Sequence, residues 1–75
     1  AYYILAYQYI AAILNGFNGA DTSYVAQELA DAAYLLEMYE TEKYIPEPDR
    51  SEAISLAYIL DEFNNGYGGV PHCDF

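Results

Sequence analysis

AYYILAYQYIAAILN, residues 1 to 15, is apolar or aromatic around its whole circumference when wound as a helix, with Gln8 the one interruption before Asn15-Gly16. No charged side chain precedes Asp21, although the chain carries a formal net charge of -10. A helix that is apolar all round requires burial all round, and a chain of 75 residues has too little other material to surround it. This mismatch predicts that part of the stretch is covered by neighbouring molecules.

Two further helices follow from the punctuation. Gly16 is expected to close the first helix, at about residues 2–15, as a left-handed cap. The Asn-Gly pairs around Phe17 then turn the chain. A second helix is expected over about 22–43, opened by Asp21, Thr22 or Ser23 as N-cap. Val25, Leu29, Ala32, Leu36 and Tyr39 recur at 4-3-4-3 spacing and form its inner stripe. Tyr44-Ile45-Pro46-Glu47-Pro48 breaks it, since each proline holds its predecessor extended. Asp49 with Glu52 three residues on has capping-box spacing and opens a third helix over about 50–64. Ala53, Leu56, Ala57, Leu60 and Phe63 are its expected core face, and Asn64-Asn65-Gly66 its expected stop. The reading is all-α: three short helices in one small domain, residues 1–75, with a glycine-rich C-terminal tail. A start at Ala1 suggests a processed piece or a module of a longer precursor.

Composition narrows the function. Twelve acids against Lys43 and Arg50, with a pI near 4.1, argue against a nucleic-acid partner, which needs a basic footprint. An acidic coat that solubilises a sticky protein is the preferred reading; divalent cations between acidic surfaces, or a basic partner, are the alternatives. Fifteen helical residues span about 22 Å, short of a ~30 Å hydrocarbon core, so no membrane insertion is expected. One cysteine allows no intrachain disulfide, which leaves oligomerisation as the usual support for so small a scaffold.

No reaction chemistry emerges. His72 and Cys73 are adjacent, and neighbours in an extended tail point apart, so they make no catalytic pair. Zinc would need further ligands that one chain lacks; Cys73 reads as a packed or capped tail thiol, with an intermolecular disulfide as the alternative. Asn15, Asn18 and Asp21 lack the alternating acids of a calcium loop, and capping accounts for them. Glu40/Glu42 and Asp61/Glu62 are too close in sequence to face each other across a cleft. Neither a metal, a cofactor nor an enzymatic activity is expected. Ten tyrosines without tryptophan suit subunit contacts better than sugar stacking. The expected contacts between copies are Tyr2, Tyr9, Ile10 and Ile13 on the first helix, with Tyr34 and Met38 on the second.

AYYILAYQYIAAILNGFNGA at 1–20 and LAYILDEFNNGYGGVPHC at 56–73 resemble a helical module of large secreted or cell-surface proteins of environmental bacteria. The resemblance is carried best by Gln8-Tyr9-Ile10-Ala11-Ala12, Leu14-Asn15 and Asn64-Asn65-Gly66; the module often has His where this chain has Tyr7. It implies an extracellular or cell-surface location, where Cys73 can be oxidised. The expected function is an extracellular structural protein that self-assembles through its first helix into a homo-oligomer, such as a filament or tube. A non-catalytic docking module of a surface protein is the alternative.

Overall fold

The computed structural model of the chain describes residues 1–67, and those residues are helical with turns between. Helix α1 spans Tyr2–Phe17 and a short 3-10 turn spans Thr22–Val25; α2 covers Ala26–Met38 and α3 covers Asp49–Tyr67. The all-α architecture agrees with the sequence reading. The predicted glycine-rich tail and the His72-Cys73 pair lie outside the described residues.

Helix α1 runs one half-turn beyond its expected end. Gly16 stays helical, and a Cβ there would meet Thr22 Cγ2 at 3.0 Å, so the missing side chain lets the next segment approach. Gly19 instead takes the left-handed backbone, φ 102°. Around it the Gly19 amide donates to Gly16 O at 3.1 Å and the Ala20 amide to Asn15 O at 2.9 Å. That pair of bonds is a Schellman closure, which satisfies carbonyls the helix end would otherwise orphan.

Asp21 supplies the cap that follows, accepting from the Ser23 amide at 3.0 Å; the Ser23 side chain first, and this amide second, hold its carboxyl below the usual aspartate value. The chain first forms a 3-10 turn, then α2, which ends at Met38 instead of near Lys43. Beyond it Lys43 adopts φ 57°, a left-handed setting that reverses the path. Its amide donates to Tyr39 O at 2.9 Å and its ammonium to Glu40 O at 2.7 Å.

The start of α3 is also built differently. Glu47, before a cis bond to Pro48, accepts from the Ser51 amide at 3.3 Å and from Ser51 Oγ at 2.9 Å. Asp49 therefore does not cap; its Oδ2 accepts the Tyr39 hydroxyl at 2.5 Å and ties the connection to the helix. At the far end α3 passes through Asn64-Asn65-Gly66 to Tyr67.

The core forms where the three helices meet. Helix α3 supplies Ala53, Leu56, Ala57, Leu60 and Phe63, all buried as their spacing requires. Helix α1 contributes Leu5 and Ala12, and α2 contributes Ala32 and Leu35 behind Val25. Leu29, Leu36 and Tyr39 are partly buried against this cluster. Ile45, from the proline-containing connection, is 1% exposed and plugs it.

Candidate functional site: the outward face of α1

Only half of α1 faces its own chain. At about 100° per residue, Leu5, Ala12, Gln8, Asn15 and Gly16 occupy one arc, and the remaining arc is turned away. The polar side chains of α1 are on the inner arc. Gln8 Nε2 donates to Asp61 Oδ1 at 3.0 Å, and Asn15 Nδ2 donates to Asn64 Oδ1 at 2.8 Å. Asn64 Nδ2 donates in turn to Gln8 Oε1 at 2.7 Å and to Gln8 O at 3.1 Å. The amides thus form a polar bridge between α1 and α3 beside the buried Leu5 and Ala12, with the exposed apolar residues of α1 on the opposite side.

That opposite side is a continuous stripe. Tyr3, Tyr7, Ile10, Leu14 and Phe17 follow at 4-3-4-3 spacing and are 67, 66, 57, 54 and 83% exposed. Ile4 is exposed on one flank of the stripe; Ala6, Ala11 and Ile13 border it, each half-buried. The whole arc covers about 180° of the helix and contains no charge. Three rings of ~200 Å² each, two-thirds to four-fifths exposed, contribute about 430 Å², and the exposed aliphatics bring the patch to on the order of 700 Å². The largest apolar patch of a typical monomer is about 300–600 Å².

Ile4 carries the apolar surface over to α3. With Ala1, Ile54, Ala57 and Tyr58 it lines a groove of about 340 Å³ whose polar groups are Gln8 and Asp61. Ile54 and Tyr58 stand exposed at its rim.

The six expected contact residues are divided by the fold. Ile10 lies at the centre of the outward stripe and Ile13 on its border. Tyr2 and Tyr9 are turned inward, partly buried against the core. The Tyr2 ring also meets Tyr3 edge-on at 5.5 Å and carries the Lys43 ammonium 5.6 Å from its centre. Tyr34 and Met38 are exposed one turn apart on α2. Cys73 lies outside the described residues.

Sequence reasoning missed Tyr3, Ile4, Tyr7, Leu14 and Phe17, the larger part of the stripe. Their heptad spacing is present in the sequence but is masked where every position is apolar. The usable signal is Gln8 and Asn15, seven residues apart, which mark the arc that faces α3.

Among the described residues no helix is long and apolar enough to cross a membrane, and no three His, Cys, Asp or Glu side chains converge as a metal site. Comparison with protein-family models, curated proteins and solved structures gives no match to this chain.

Proposed function

We propose that this chain is a non-catalytic structural protein that self-associates through the outward face of α1. The observation that carries the proposal is the uncharged stripe Tyr3-Tyr7-Ile10-Leu14-Phe17, exposed on a helix whose amide side chains are turned inward. Its area is close to the ~800 Å² that each partner contributes to a standard stable interface. A second copy is the fitting occupant. Two chains of net charge -10 repel wherever their acids meet, and among the described α-helices α1 alone has no acid. The resemblance to surface-protein modules supports an extracellular setting, in which such contacts build a homo-oligomer or, if they do not close, a filament.

Sedimentation velocity over a concentration series tests this. The expected result is a mass above 8.4 kDa that falls to the monomer in Ile10→Asp, with the helical circular dichroism unchanged. A wild-type chain that stays monomeric at every concentration would overturn self-association and leave docking on a different protein as the reading. A fully assembled Ile10→Asp variant would move the contact away from α1.

A further inference from the structure

We propose that the copies associate as a closed core of three or four α1 helices, each α1 wedged between two others instead of paired with one. The inference rests on the self-association proposed above and specifies the partner arrangement at that same face.

The first argument is the width of the arc. A two-stranded seam uses a narrow a/d stripe, and its flanking e and g positions are commonly charged because they border water. Taking Tyr7 and Leu14 as a positions places Tyr3, Ile10 and Phe17 at d. The flanks are then Ile4 and Ala11 at e, and Ala6 and Ile13 at g. All four are apolar; Ala6, Ala11 and Ile13 are half-buried by their own chain, and a single facing helix would leave their outer halves and the 62% exposed Ile4 at the wet rim. With a neighbour on each side, both flanks are covered. The inner core contacts fall at b, c and f, where Leu5, Gln8, Tyr9 and Ala12 already meet the rest of the chain.

Residue identity is the second, independent argument. Leucine at a with isoleucine at d favours trimers and tetramers, and the reverse arrangement favours dimers. Leu14 is at a and Ile10 at d, so the one aliphatic pair in the stripe favours the larger assembly. A central cluster also suits the charge distribution. Helices α2 and α3 lie behind α1 in every copy, which carries their carboxylates to the periphery.

Native mass spectrometry and sedimentation equilibrium of the full chain, beside the double variant Ile10→Leu/Leu14→Ile, decide the matter. The swap conserves composition and alters only exposed positions, and circular dichroism checks that the fold is retained. The wild type is expected at three or four times the chain mass, and the double variant is expected to shift to twice that mass. A wild-type dimer, a polymer without a fixed unit, or a swap that leaves the stoichiometry unchanged would each overturn the closed core while self-association stands. A wild-type monomer would overturn both.

Discussion

Replacing Asn64 by alanine breaks the junction between α1 and α3 at its most connected point. The side chain accepts from Asn15 at 2.8 Å and donates to Gln8 Oε1 and Gln8 O at 2.7 and 3.1 Å. Each such bond contributes about 1 kcal/mol net, and alanine returns roughly 0.5 kcal/mol through its higher helix propensity. The expected loss is therefore about 2–3 kcal/mol, a large share of the stability of so small a domain. In a thermal melt followed by far-UV circular dichroism this corresponds to a fall of about 10–20 °C. The chain concentration must be fixed, because association shifts the midpoint. Asn65→Ala is the control: Asn65 is exposed, and the change should stay within about 0.5 kcal/mol. If both variants melt together, the amide bridge does not hold α1 on α3.

Three other perturbations bear on the core, the turns and the connection before α3. Ile45→Ala opens a cavity where a 1% exposed side chain plugs the core; a cost of about 2–4 kcal/mol is expected in urea denaturation, and a loss below ~1 kcal/mol would refute the plug. Gly19→Ala forces a β-carbon onto a backbone at φ 102° and should destabilise by ~1 kcal/mol or more, whereas Gly66→Ala meets nothing within 4 Å and should stabilise by up to ~1 kcal/mol. Equal effects of the two glycine changes in melts would contradict these placements. The hydrogen bond to Asp49, with burial and the nearby Asp49 and Glu42 charges adding to it, lifts the Tyr39 phenol above its ordinary value. Because the folded pKa is the higher one, that contribution is present below about pH 10 and is lost as pH rises through the folded value. Tyr39→Phe should accordingly remove a phenol that ionises above the ordinary tyrosine value in an alkaline absorbance titration; an unchanged high-pH end of the curve would count against the bond.

How legible the fold was depended on contrast between neighbouring positions. The face of α3 is explicit because Ala53, Leu56, Ala57, Leu60 and Phe63 recur at 3-1-3-3 spacing, with Ser55 and Glu62 marking the face turned away from the core. In α2 the period was right but the phase drifted, and Leu35 is buried where Leu36 was expected to dominate. Local stop signals misled where tertiary bonds overrode them. Asn64 reads as a terminator by propensity, yet its side chain is engaged with Gln8 and Asn15, and α3 continues past it. Gly16 reads as a cap, but Gly19 has that role and Gly16 instead makes room for Thr22. Ile45 was hidden in a proline-rich breaker, whose composition describes backbone path and says nothing of a side chain returning to the core. The outward stripe was the least legible feature, since α1 offers no polar background against which a stripe could stand out.

The inward amides have a consequence for how α1 can turn. A cylinder coated evenly with apolar groups has no preferred azimuth: it can roll on its neighbour and lose little contact area. Gln8 and Asn15 act as two pegs on one meridian, and their seats on α3 exist at a single angle. Rolling by even one residue would lift both pegs from their seats. The direction in which Ile10 points is thereby set by polar groups on the far side of the helix.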